Sequence, residues 1–213
     1  MRNIPSLLRI EEHRALSRIT LQGNVLDLGG DKNSEYLTYV QGTFKTTTVN
    51  FDKKARPDVV HDLEKPLPFE DSSYDWVVLC NALEHVFEYR ALLQEAARVA
   101  RSGGGLVVVV PFLFPLHPSP EDYHRFTAST LRREMEHLGL KDIRVVPLGK
   151  GLFSARYLLL DRLLPRSFRF INFYTGRYIA YSLDTLYAGV ARLVGKRYTP
   201  ADYALGYCAT AKK

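Results

Sequence analysis

The sequence predicts an α/β fold built on a mostly parallel sheet, and three observations carry that prediction. Short β-branched or apolar runs alternate with helical periodicities along most of the chain. Residues 106–110, a leucine and four valines, have the unbroken apolar character of a strand buried on both faces. Several of the strand-like runs stop at Gly, Asp or Asn, on the sheet edge where ligands of such folds gather.

The elements follow in order. Residues 6–18 read as a lead-in helix with Leu7, Leu8, Ala15, Leu16 and Ile19 as its apolar stripe. A strand at 25–28 runs into Gly29 and Gly30, and Asn33 or Ser34 caps a helix through Val40. Strands are expected at 46–51, ending at Asp52, at 58–61 before Asp62, and at 75–80 before Asn81. A helix over 89–101 carries Leu92, Ala96 and Val99 on one face and is stopped by Ser102 and three glycines. The 106–110 strand follows, then a helix capped by Thr127 and ending at Gly139, a strand at 143–148 and a last strand at 203–210. That makes seven strands, with a helical insertion before the last.

At 213 residues the chain is one domain, and 46% hydrophobic residues suffice for a full core, which excludes a disordered chain. Two cysteines, Cys80 and Cys208, cannot build a disulfide framework; both sit in apolar runs and are expected as buried thiols in a reducing compartment. The first residues lack the apolar segment of a secretion signal. The longest uncharged stretch, 102–120, is broken by glycines and four prolines and cannot form a spanning helix. A cytoplasmic protein is expected, with membrane-peripheral attachment as the variant considered below.

The formal charge is +6. Between Lys150 and Arg197 nine basic residues face only Asp161 and Asp184, so this segment holds a surplus of seven and the remainder is close to neutral. The segment is the insertion, residues 149–199, which is also rich in Phe and Tyr. A helix over 155–164 is stopped by Pro165, and Ile179, Leu183, Leu186, Val190 and Leu193 form a second amphipathic stripe. One reading is a helical cap whose stripe packs inward. Another is a contact surface for an anionic membrane interface, a lipid-linked acceptor or a second copy of the chain. Nucleic acid is disfavoured, because the insertion reads as helical and apolar and not as a basic stripe.

The strand ends carry the chemistry. Gly29 and Gly30 let a ligand approach backbone amides closely. Asp52, at the second strand end, can accept hydrogen bonds from both hydroxyls of a ribose. Asp62 can take an adenine amino group while Leu63 packs on the ring, and Asn81 ends the fourth strand. Together these point to an adenosine-containing cofactor. Asp27 and Asp31 flank the turn and would repel the pyrophosphate of a dinucleotide but favour a sulfonium and an ammonium group, so S-adenosyl-L-methionine is expected and a NAD-dependent oxidoreductase is the disfavoured reading.

Residues 25–140 resemble a class I SAM-dependent methyltransferase of the type-11 subgroup. The resemblance rests on VLDLGG at 25–30, VNFD at 49–52, DVVHDL at 58–63, LPFEDSSYDWVV at 67–78, LEHV at 83–86, EAARV at 95–99 and GGGL at 103–106. It implies a Rossmann-like, seven-stranded sheet with helices on both faces. It also implies that Asp27 with the Gly29–Gly30 backbone holds the methionine end, Asp52 the ribose, Asp62 and Leu63 the adenine, and that Asn81 lies beside the cofactor. The family turn has two further glycines; here those positions are Asp31 and Asn33, with Gly30 taking up the turn one residue early.

After the 106–110 strand, a proline-stiffened loop carries His117, then Asp122, Tyr123, His124, Arg125, Phe126 and Thr127. Relatives of this type carry a similar His and D-Y-x-R-[FY]-T run over the cofactor's methyl group. Free imidazole titrates in the range that suits a general base, which makes His85 and His117 the candidates for that role, and Tyr123 and Arg125 could orient an acceptor or bind an anionic group on it. The plainer readings are that His85 bonds backbone and that Asp122 and Arg125 staple the loop. The spacing of His117, Asp122 and His124 matches no standard metal site, so no metal is expected. The expected function is methyl transfer to a small-molecule or lipid-linked acceptor, at oxygen; the alternative is a catalytically inactive, methyltransferase-like binding or membrane-docking subunit.

Overall fold

In a computed structural model, residues 5–32, 34–161 and 163–213 are described. The sheet-forming strands are β1 (Thr20–Leu28), β2 (Gln41–Asn50), β3 (Val59–Val60), β4 (Tyr74–Cys80), β5 (Ala100–Pro111), β6 (Lys141–Leu148) and β7 (Gly206–Lys212). They lie side by side in the order β3-β2-β1-β4-β5-β7-β6. All are parallel except β7, which runs antiparallel to both β5 and β6. The switch point falls at β1 and β4, whose outward crossovers leave a crevice at the carboxyl ends of the strands.

Alternating residues feed two cores. Leu26, Leu28, Val77, Leu79, Leu106 and Val108 face α2 (Tyr89–Val99) and α3 (Ala128–His137). Val25, Val78, Cys80, Val107 and Val109 face α1 (Leu7–Leu16) and α4 (Leu152–Asp161). The central strands are thus buried on both sides. Cys80 and Cys208 are buried free thiols, and burial pushes both up, Cys208 to about 12.

Three sequence expectations are corrected. The helix expected through Val40 is one short 3-10 turn, Glu35–Tyr39, and Asn33, offered as its cap, lies outside the described residues. The helix expected over 89–101 ends at Val99, and the glycines belong to β5. They fit because a side chain on Gly104 would strike the Asp75 carbonyl and one on Gly105 the Ala211 carbonyl, so bare backbone is what allows β5 to enter between β4 and β7. The third concerns the insertion. Its helices are α4 and the long α5 (Arg166–Leu193); Arg162, counted among its charges, lies outside the described residues.

On α5 the stripe faces solvent, which contradicts the inward-packing reading and leaves the exposed-surface one: Leu186 is 63% and Leu193 88% exposed, with Ile179, Leu183 and Val190 also exposed. The buried face is made instead by Ala180, Tyr181, Asp184 and Ala191, small or polar residues that hydropathy periodicity overlooks. Tyr181 ties α5 to α1. Its hydroxyl donates to Glu11 and accepts from Arg14 Nη1 at 3.1 Å, and Lys150 Nζ lies 4.7 Å from its ring centre. No helix among the described residues is long and apolar enough to cross a membrane.

Candidate functional site

The turn after β1 is closed by its neighbours. Gly29 has φ +87° and donates its amide to Val49 O at 2.8 Å, and its α-carbon faces Ala82 so closely that a β-carbon would not fit. Asn50, the last residue of β2, donates its side-chain amide to Gly29 O at 2.9 Å and Gly30 O at 3.3 Å. The turn therefore holds its shape with Asp31 at a family glycine position, the Asp31 amide donating to Ser34 Oγ at 2.9 Å.

Asp27 is fully buried beneath this turn. The Tyr36 hydroxyl donates to its carboxylate, 2.7 Å from each oxygen, and a side chain on Gly30 would overlap it. Burial pushes the Asp27 carboxyl up to about 7, with nearby Asp31 adding to the rise and Tyr36 opposing it. The protonated form is favoured in the folded chain, so the stability this group contributes is present below pH ~4 and is lost as pH rises through about 7. In Asp27→Asn that fall should be absent, a difference of at most about 4 kcal/mol between the two ends of the range. Denaturant unfolding of both proteins at pH 4.5 and 8 measures it; a wild type–variant difference that does not change with pH would contradict this account.

The next two strand ends are in register. Asn50 pairs with Val60, so Asp52 and Asp62 each lie two residues beyond a paired position. Both are exposed. Asp52 Oδ1 accepts the Lys54 amide at 2.8 Å, and Asp62 Oδ1 the Glu64 amide at 3.1 Å, which holds the Asp62 carboxyl below its usual range. Phe51 is exposed and Leu63 half-buried beside them. Two carboxylates flanked by apolar side chains thus line one end of the crevice.

At the other end Asn81 sits in the left-handed region, φ +52°, with its amide donating to Val109 O at 2.9 Å. Its side-chain neighbour is a residue the sequence reading missed. Glu12, on α1, is 1% exposed; its Oε2 is 3.6 Å from Arg9 Nε and its Oε1 has no hydrogen-bond partner among the described residues. Burial raises its carboxyl. The available signal was an acid at the middle of the Leu8, Glu12, Leu16 repeat, all three now buried.

The loop after β5 meets the segment after β4. Glu84, in the 3-10 turn Leu83–His85, is fully buried, and its backbone carbonyl accepts the amides of Tyr123 at 2.9 Å and His124 at 3.2 Å. Its two carboxylate oxygens have no hydrogen-bond partner among the described residues. His85 Nε2 lies 3.7 Å and His117 Nε2 3.6 Å from Glu84 Oε1, with the two rings edge to face at 5.1 Å. His85 Nδ1 is 2.6 Å from Glu121 O; His117 Nδ1 is 3.2 Å from Pro115 O and from Asp122 Oδ2. The Glu84 contact raises the His117 imidazole above its usual value.

His85 and His117 are therefore brought together, joined by Glu84, which in the sequence stands out only as part of the LEHV run at 83–86. Tyr123 is exposed, its ring against Phe87 at 5.3 Å. Arg125 braces the loop: both its terminal nitrogens pair with Asp122, Nη1 also donates to His124 O at 2.8 Å and Nη2 to Phe114 O at 3.4 Å. The guanidinium holds the Asp122 carboxyl down to about 2. His124 Nε2 lies 3.1 Å from Phe87 O, away from His117 and Asp122.

Residues 26–108 match the family model described as a methyltransferase domain. A demethylmenaquinone methyltransferase from Shouchella clausii is 36% identical over 55 residues, 26% of this chain and 23% of that protein's length. Among solved structures, a SAM-dependent methyltransferase from Archaeoglobus fulgidus superimposes with a TM-score of 0.59 at 16% identity, covering 97% of this chain and 93% of its own. Phosphoethanolamine N-methyltransferase 2 from Haemonchus contortus, in complex with S-adenosyl-L-methionine, gives 0.59 at 14% identity, covering 95% of this chain and 52% of its own. This chain thus spans under a quarter of the curated relative and about half of the Haemonchus enzyme. Residues 26–108 are thus similar to a methyltransferase domain, and the sheet order is the fold shared with the SAM-dependent methyltransferases on which the chain superimposes.

Proposed function

We propose that this chain transfers a methyl group from S-adenosyl-L-methionine to oxygen on a small-molecule or lipid-linked acceptor. The observation that carries the reading is the pair of fully buried carboxylates, Glu12 and Glu84, with three oxygens unpartnered among the described residues at the crevice beside Asn81. Buried carboxyl oxygens without a partner suit a cationic ligand and not a pyrophosphate. The residues present fit the cofactor. Asp52 would accept from the ribose hydroxyls, with Asp62, Phe51 and Leu63 around the adenine. Gly29, Gly30, Asn81 and Glu12 would hold the methionine end, and Asp27 would shape the turn from below. When bound, the cofactor supplies a methyl group on a positively charged sulfur, ready for in-line displacement.

The chain's own residues then position and deprotonate. The loop braced by Asp122 and Arg125 fixes His117 against Glu84, and Glu121 O fixes His85. This cluster is where a hydroxyl proton would go as oxygen takes the methyl. Tyr123, exposed beside Phe87, would border the acceptor. Calorimetric binding of S-adenosylhomocysteine tests the reading: micromolar affinity is expected, and a cooperatively folded protein that shows no binding would overturn it in favour of a docking subunit without turnover.

The lipid-linked form of the acceptor draws on one specific feature. Tyr178, Leu186, Val190 and Leu193 line an open groove bordered by Arg14, Lys150 and Arg192. Apolar floor and basic rim suit an acyl or isoprenoid chain with an anionic head group. The full chain should co-sediment with vesicles containing anionic phospholipid, and Leu186→Glu with Leu193→Glu should abolish this while leaving S-adenosylhomocysteine affinity unchanged. Absence of co-sedimentation at low salt would limit the acceptor to soluble molecules.

A further inference from the structure

We infer that Glu84, His85 and His117 form a binding site for one divalent cation of the zinc or iron(II) class. Their ligand atoms, one carboxylate oxygen and two imidazole nitrogens, all lie within 4.8 Å of one another. Two histidines and a carboxylate are the donor set of many catalytic zinc and non-haem iron sites, which leave further positions open to water or substrate.

The geometry separates this from an ordinary ion pair. The two Nε2–Glu84 separations, 3.6 and 3.7 Å, are too long for hydrogen bonds. They lie a few tenths of an ångström from the roughly 3.4 Å expected between ligands that share one ion at about 2.1 Å in a tetrahedral arrangement. Both imidazoles turn the same nitrogen toward the same oxygen, because the other nitrogen of each is engaged. His85 Nδ1 meets Glu121 O, and His117 Nδ1 meets Pro115 O and the Asp122 carboxylate. A ring whose Nδ1–H is donated outward presents an Nε2 lone pair inward, and a backbone carbonyl or carboxylate in that role is the usual outer support of a metal-binding histidine.

The second, independent observation is Glu84 itself. Its side chain is fully buried, aimed into the cluster, and both of its oxygens lack a hydrogen-bond partner among the described residues. A buried carboxylate in that state is expensive unless a cation compensates it. The nearest fixed cation of the loop, Arg125, is spent on Asp122. The spacing of His117, Asp122 and His124 gave no reason to expect a metal, and that reasoning could not include Glu84 and His85, which arrive from another strand end. Under the methyl-transfer reading, an ion here would hold the acceptor oxygen and ease its proton away in place of free imidazole; the site itself stands without that reading.

The test uses the full chain stripped with a chelator and titrated with Co2+ alone, followed by visible absorption, then with Zn2+ by calorimetry. One ion per chain is expected. His117→Ala, His85→Ala and Glu84→Gln should each weaken binding at least ~10-fold, whereas His124→Ala should leave it unchanged. Thermal melting of each variant shows that it is folded, and S-adenosylhomocysteine affinity, measured separately, keeps the fate of this site distinct from that of the cofactor reading. Absence of saturable Co2+ and Zn2+ binding by folded wild type overturns the inference, as does binding that is unmoved by both histidine variants.

Discussion

Asp52→Ala is expected to lower affinity for S-adenosylhomocysteine by ~100-fold or more. Hydrogen bonds to a charged acceptor contribute roughly 1.5–3 kcal/mol each, and a carboxylate taking both ribose hydroxyls makes two of them. The residue is suited to the test because it does little else. It is exposed and caps only the three-residue turn Lys53–Ala55, through the Lys54 amide, so its loss should barely affect folding. Asp62→Ala, which under the proposed function would remove a contact at the adenine edge, should cost less, about 10-fold. Calorimetry on the three proteins reads both numbers. If Asp52→Ala binds as tightly as wild type, the nucleoside lies elsewhere in the crevice.

The second large effect is on stability. Asp184→Ala should lower unfolding free energy by about 3–5 kcal/mol, because a buried group with several hydrogen bonds would be deleted and its donors left unpaired. Asp184 is 1% exposed on α5, and its carboxylate accepts the amides of Phe153 at 2.8 Å and Ser154 at 2.9 Å together with the Ser154 hydroxyl. These amides are the open N-terminus of α4, so one helix caps the other from a distance. Gly151 is part of the same arrangement: with φ +150°, it has no room for a side chain against Tyr198 and Asp184. Equilibrium denaturation measures the loss. A change below ~1 kcal/mol would mean that water replaces the carboxylate and that α4 does not depend on α5.

The sheet could be read from residue order because its strands are marked twice, by apolar composition and by the Gly, Asp or Asn at their ends. Asp52 and Asp62 were legible as strand-end residues for that reason, and pairing of Asn50 with Val60 puts them at equivalent positions. The residues that escaped are those whose partners come from distant segments. Glu12 belongs to a helix preceding the first strand, and Glu84 acquires its meaning from His117, thirty-three positions on. Asp184, one of two acids in a basic segment, looked like a minor charge and is the joint between two helices. Periodicity also misassigned α5: alanines, Tyr181 and Asp184 make its inner face, and the larger aliphatic residues were left outside. Hydropathy ranks side chains by their cost in water, not by what the neighbouring helix has room for.

The reversed strand β7 has a consequence for how such a protein can change. Leu148, where β6 ends, is paired with Gly206, where β7 begins, and Gly206 pairs in turn with Pro111. The chain therefore departs for α4 and α5 and returns at adjacent backbone positions, next to the loop that carries His117. Closing a longer or shorter excursion between two fixed, neighbouring points changes the entropy of folding only slowly with length. The excursion is thus a replaceable part: its length, charge and oily surface can be rewritten while strand register and the crevice stay as they are. Under the proposed function, the basic and apolar surface of the excursion would be open to exchange without redesigning the strand ends that would hold the cofactor.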